Sequence, residues 1–325
     1  MSETNDTQVE RLLAVEPVAI DTAPALERLR TRVGTGKVAA YRGAPRRWLQ
    51  GFAAVAALAL VAGGLAVTGV AETLFIIFEP KQVAPVAVRT SDFAGLPDLR
   101  EYGTFTVVAQ PSPRAVADAA AAARESGLAV LTPATLPAGL SAPARFSVVS
   151  SATGTFAFDE AKLQAAAAAA GRTPPPMPPA IARTTLTMSG GPAVLQTYGA
   201  VSADPSAALT QTIPLLIVQA KAPLVTSNGA SVEELRAYLL AQPGLSPQLA
   251  AQIRAIGDPV GTLPVIVPVD LAQGKSVTVR GTKGVLIGDA TGLGSAVVWL
   301  EGGVVHLVAG ALAEAQVLEV ANSLR

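Results

Sequence analysis

The chain of 325 residues has no cysteine at all. That excludes disulfides, thiolate metal sites and a cysteine nucleophile together. Histidine is nearly absent as well: His306 is the only one. A histidine metal site needs several ligands, and a histidine-dependent hydrolase would have to be built on this one ring. Charge is sparse, at 15% of residues with a formal net charge of zero. No basic footprint for nucleic acid exists, so no nucleic-acid partner is expected. Aromatics make up only 4%, and alanine and valine dominate the apolar half of the chain. Ala-rich runs are therefore read first as helix filler.

What the chain does have is a long apolar run. Phe52 to Val70, FAAVAALALVAGGLAVTGV, is nineteen residues without a charge. At about 1.5 Å per residue in a helix, this approaches the roughly 30 Å of bilayer hydrocarbon. The apolar character resumes in TLFIIF at 73–78 before Glu79 and Pro80. The expected transmembrane helix therefore spans 48–78, with Glu72 at the outer interface. Lys37, Arg42, Arg46 and Arg47 precede the run closely, and only Lys81 follows it. The positive-inside rule then places the N-terminus in the cytoplasm and the C-terminal domain outside the cytoplasmic membrane. Tyr41 and Trp48 suit the interface. A cleaved signal peptide is the rival, but the 47 residues before the helix far exceed an ordinary n-region, so an uncleaved anchor in the lipid bilayer is preferred. Small residues at four-residue spacing, Ala59 with Gly63 and Ala62 with Ala66, are ascribed to chance in so Ala-rich a segment.

Residues 1–47 read as a cytoplasmic tail, largely disordered, with a short amphipathic helix at Pro24 to Val33. A docking helix for a cytoplasmic partner or for anionic lipid heads is one reading of it. A solvated spacer is the other and is preferred. Gly34-Thr35-Gly36-Lys37 superficially suggests a phosphate loop. The motif needs a glycine where Thr31 stands and Ser or Thr where Val38 stands, and it is discarded.

Residues 79–103, with Pro80, Pro85 and Pro97, read as an extended linker. From 104 to 325 the pattern predicts an extracytoplasmic α+β domain of antiparallel strands with packed helices, and it allows two subdomains divided near 220–260. Thr104 to Ala109 is strand-like. Ser112-Pro113 predicts a helix to about Ser126, ended by Gly127. Strands at 145–150 and 155–158 flank a turn at Ser151–Gly154, and a second Ala-rich helix follows from Asp159. RTPPPMPPA is a rigid polyproline-type connection. Ser189-Gly190-Gly191 reads as a hairpin between strands at 183–188 and 193–199. A buried strand is expected at 213–218, then helices capped by Ser231 and Ser246. Strands follow at 263–267, 276–280 and 284–288. The chain closes with a hairpin at 296–310, turning at Glu301-Gly302-Gly303, and a helix over 313–324.

Three patches resemble one bacterial family. They are TLFIIFEPKQVAPVAV at 73–88, LAVLTPATLPAGL at 128–140, and the stretch from Gly281 to Leu324 with GTKGVLIGD, SAVVWLEGGVVHLVAG and QVLEVANSL. They are similar to the extracytoplasmic domain-of-unknown-function family 4367, whose members are often attached to a membrane helix and associated with anti-sigma-factor-like proteins. The resemblance implies topology and fold, and it transfers no functional residues. A full anti-sigma factor usually carries a longer cytoplasmic sigma-binding domain, often with a His/Cys zinc motif, and this tail has neither.

The search for chemistry finds no catalytic, cofactor-binding or metal-binding residues. His306 sits within the strand VVHLVAG and is read as a packing residue, with no Gly-x-Ser-x-Gly nucleophile motif to partner it. Asp159, Glu160, Glu233 and Glu234 fall in helix first turns, where the helix dipole favours acids. GDATGLGS at 288–295, with Asp289, reads as a Gly-rich connection, and Trp299 as a core residue. The expectation is a membrane-anchored binding or regulatory domain, envelope-sensing and anti-sigma-like, with a protein partner outside. An envelope structural or assembly protein is second, and a hydrolase third.

Overall fold

The computed structural model describes residues 74–93, 98–140, 144–199, 214–289, 292 and 294–325. The apolar run 52–70 and the tail 1–47 lie outside the described residues. No helix among the described residues is long and apolar enough to cross a membrane. The described part is mixed α and β, with seven α-helices.

Strands β1 (Phe75–Phe78), β10 (Leu224–Ser227), β7 (Thr185–Gly190), β6 (Ala152–Phe158) and β3 (Gly103–Ala109) form a five-stranded sheet in that order. An eight-stranded sheet runs β12 (Ala272–Val279), β13 (Thr282–Asp289), β14 (Ser295–Glu301), β15 (Val304–Gly310), β9 (Leu215–Lys221), β8 (Ala193–Tyr198), β5 (Arg145–Val149) and β4 (Pro113–Val116). Every pairing in both sheets is antiparallel.

The two sheets share their strands. β3 leads into β4, β5 into β6, β7 into β8 and β9 into β10, each through only two or three residues. In each case one member lies in each sheet. Four long strands therefore cross both sheets and bend at a common line. The line is marked by Gln110-Pro111-Ser112, Ser150-Ser151, Gly191-Pro192 and Ala222-Pro223. Proline and glycine suit such corners because the ladder is already interrupted there. Ser150 Oγ accepts from the Ser112 N–H at 3.0 Å, and Ser150 N–H donates to Ser112 O at 3.1 Å, so the pairing is carried across the bend.

This corner corrects three expectations. Gly190-Gly191 and Ser151–Gly154 do not close hairpins; β7 and β8 lie in different sheets, as do β5 and β6. No helix starts at Pro113. It opens strand β4 at the sheet edge, where the missing N–H is harmless, and the helix is shorter, α2 (Ala119–Ser126), capped by Asp118. It follows α1 (Leu99–Tyr102).

The stretch expected to leave the membrane also differs. TLFIIF does not prolong a helix: Phe75–Phe78 is a strand paired with Leu224–Ser227, as its β-branched and aromatic residues favour. Nor is 79–103 a simple linker. β2 (Gln82–Val88) pairs in parallel with β11 (Thr262–Pro268), burying Val83, Val86 and Val88. Pro85 is tolerated because a two-stranded ribbon leaves one edge of each strand unpaired. The described residues fall within one compact unit, and β9–β10 crosses the start of the 220–260 region where the sequence allows a division.

The eight-stranded sheet is apolar on both faces. Val285, Val298, Leu300 and Leu307 pack with Val83, Leu263, Val265 and Val267 of the β2–β11 ribbon. Ile217, Leu286, Val297, Trp299 and Val308 pack with Val317, Val320, Ala321 and Leu324 of, or next to, the last helix, α7 (Glu314–Ser323). The alternation of Val297 and Trp299 against Val298 and Leu300, with the closing helix over one face, is as the sequence indicates. The five-stranded sheet packs Phe156 with Leu163 of α3 (Glu160–Ala169), Met177 of the polyproline stretch, Ile181 of α4 (Pro179–Ala182) and Tyr238 of α5 (Val232–Leu240). Helix α6 (Pro247–Ala255) places Leu249 against Val86 and Val88.

Candidate functional site

The one histidine lies in a polar row across the α7-covered face. His306 on β15 stands opposite Trp299 on β14 and opposite Gln219 on β9. The Trp299 and His306 rings are stacked, with centroids 4.9 Å apart and planes 12° apart. His306 is 4% exposed and its Nδ1 has no hydrogen-bond partner. Burial pushes the imidazole down to about 4, against a smaller upward pull from Glu301. The ring is thus buried and stacked, and burial favours its neutral form.

The neighbours of Trp299 brace the C-terminus. Trp299 Nε1 donates to Glu301 Oε2 at 3.3 Å, and Arg280 Nε donates to the same oxygen at 3.0 Å. Burial alone would raise the Glu301 carboxyl, but these two hydrogen bonds and the Arg280 charge hold it below its ordinary value. Arg280 Nη1 also donates to Leu324 O, and its backbone N–H to Asn322 Oδ1 at 2.9 Å. Arg280 has φ +49° in the two-residue turn between β12 and β13, followed by Gly281 at +81°. The left-handed region is uncommon for arginine, and here its backbone and side chain are tied to the last turn of α7.

The other acids are structural too. Asp159 caps α3 by accepting from Lys162 N–H at 3.0 Å. Glu234 and Ser231 form a reciprocal capping box on α5. Glu160 and Glu233 lie in first turns. At the end of β13, the Asp289 N–H donates to Gly294 O at 3.0 Å, and its carbonyl accepts from Gly292 N–H at 3.2 Å. Among the described residues no group of three or more potential ligands assembles for a metal.

The free edge of β3 is different in kind. Among the described residues β3 pairs only with β6, and from Thr104 to Ala109 every residue is exposed. Phe105, Val107 and Val108 are 42%, 47% and 57% exposed. The stretch 103–109 carries no charge. Phe105 lies across Gly154 on β6: a Cβ there would fall 2.6 Å from the ring. Glycine therefore seats the aromatic on the sheet instead of letting it project freely.

Where β3 bends into β4, a cleft of about 500 Å³ opens along the corner. Ser112, Arg114, Glu125, Val148, Ser150 and Pro192 line it. Arg114 on β4 reaches Glu125 on α2 at 3.4 Å. Edge strands offer a row of unpaired N–H and C=O groups. With apolar side chains above and below and a cleft of mixed polar and apolar lining at one end, this edge can accept an extended backbone by strand addition.

Comparison with family models, with curated proteins and with solved structures finds no match. The weight therefore rests on geometry. No site residues stand out in the sequence, and its pattern marks 104–109 as a strand without marking it as an edge. Its uncharged run of Phe, Val and Thr was the available signal.

Proposed function

We propose that this chain is a single-pass membrane protein whose extracytoplasmic domain binds an extended polypeptide segment along the β3–β4 edge and acts as a binding or regulatory module of the anti-sigma-like kind. The observation that carries the binding reading is an uncharged edge strand with both faces exposed, continuous with a cleft lined by polar and apolar groups alike. Native sheets commonly protect such edges with charge, proline or cover; β3 has no charge and no proline. The membrane anchor is supported by the nineteen-residue apolar run and the basic residues before it. The hydrolase reading gains nothing from His306, whose ring is enclosed.

The test is a photo-crosslinking residue at Val108 in intact cells, with Lys283, exposed on β13, as control. A polypeptide adduct at Val108 alone is expected, abolished by Val107→Lys at unchanged melting temperature. No adduct, or one indifferent to Val107→Lys, refutes binding at this edge. An adduct with a second copy of the chain would favour an assembly role without signalling.

A further inference from the structure

β1 carries a second exposed apolar patch, at the opposite edge of the five-stranded sheet from β3. Leu74, Phe75 and Ile76 are 46%, 50% and 52% exposed. The next residue, Ile77, is buried at 7%, and Phe78 is half-buried. Apolar exposure is thus confined to the three residues nearest the 52–70 run. Consecutive residues of a strand point to opposite faces, so this edge is apolar on both sides. Among the described residues it pairs only with β10.

We infer that this end of the domain is seated in the lipid surface, with Leu74, Phe75 and Ile76 in the interfacial layer. The inference rests on the membrane-anchor reading of 52–70. Val70, the last residue of that run, is four residues before Leu74, and a chain of four residues spans at most about 14 Å. The start of β1 therefore cannot leave the vicinity of the bilayer. Three strand residues extend about 7–10 Å, which matches the roughly 5–10 Å to which interfacial apolar groups penetrate. Glu79 and Lys81, both exposed, lie beyond the buried Ile77 and fit the aqueous side. The hydropathy of TLFIIF is thus explained without a longer helix, because lipid covers what the sheet leaves open.

The absence of cysteine makes the test direct, since one introduced thiol is unique. The full chain is reconstituted in vesicles of phosphatidylcholine and phosphatidylglycerol, with a nitroxide label at Ile76→Cys, Val61→Cys or Val108→Cys in turn. Relaxation by oxygen, which concentrates in lipid, is compared with relaxation by a water-soluble nickel chelate. The expected result is that labels at 61 and 76 favour oxygen and the label at 108 favours the chelate. A label at 76 that favours the chelate while 61 favours oxygen overturns the seating and leaves the anchor intact. Chelate access at 61 overturns the anchor itself, and the seating with it. The I76C melting temperature, matched to the parent chain, confirms that the label reports the folded sheet.

Discussion

Replacing His306 with glutamine should change how the domain responds to acid more than how stable it is at neutral pH. The imidazole is 4% exposed, and burial pushes it down to about 4. In the unfolded chain the same ring titrates near 6.5. Between those values the unfolded state binds a proton that the folded state refuses, so stability is full above pH 6.5 and is lost as pH falls towards 4. At about 1.4 kcal/mol per pH unit, the loss over this window is ~3 kcal/mol. That is a large fraction of the roughly 5–15 kcal/mol that holds a domain together. Glu301 acts in the same direction at lower pH: its carboxyl is held below its ordinary value, and its contribution disappears only as it protonates. In H306Q the drop between pH 6.5 and 4 should be absent, while neutral-pH stability falls by about 0.5–1.5 kcal/mol for the lost ring stacking. Denaturant midpoints of the full chain in detergent, measured at half-unit pH steps for both proteins, decide the matter. Parallel curves would refute the assignment of acid sensitivity to His306.

Two further substitutions probe the same face. Trp299→Ala should destabilise the domain by about 3–5 kcal/mol, because it opens a large void between the sheet and α7 and strips Glu301 of a donor; near-ultraviolet melts should shift by several degrees, and an unchanged melt would place Trp299 outside the core. Gln219→Leu should leave the Leu131 N–H without its 2.9 Å acceptor, at a cost of about 1–3 kcal/mol. Amide exchange at Leu131 should accelerate well beyond that of β14, and equal protection in both proteins would show that the glutamine does not hold this segment.

Local chemistry was legible in the sequence where one residue decides the outcome. Ser231 and Ser246 cap helices as their positions suggest, while Asp159, expected in a first turn, stands one step earlier as the cap of α3. The Gly302-Gly303 turn between β14 and β15 has φ +59° and +75°, a geometry that glycine accepts freely. The alternation around Trp299 gave both covered faces. What the sequence concealed was long-range. Gly191-Pro192 looks the same whether a strand reverses or bends into a second sheet, because both need an interrupted ladder. Phe75–Phe78 looks the same in lipid and at a sheet edge, because hydropathy does not record hydrogen-bonding partners. The exposed edge of β3 escaped for that reason too: whether β3 has one neighbour or two is a property of the other strands.

The ribbon of β2 and β11 has a kinetic side. Gln82 pairs with Thr262, 180 residues later, and the whole ribbon covers one face of the eight-stranded sheet. At about 5–20 residues per second of synthesis, β2 waits some 10–40 s for its partner. The opposite face waits longer, since α7 and the Arg325 N–H that bonds Thr132 O at 3.0 Å come last of all. Contacts so distant along the chain fold slowly. During that interval β2 is synthesised, apolar and without its partner strand. Until synthesis passes Pro268, this unpaired apolar strand is the part of the nascent domain most open to wrong pairing.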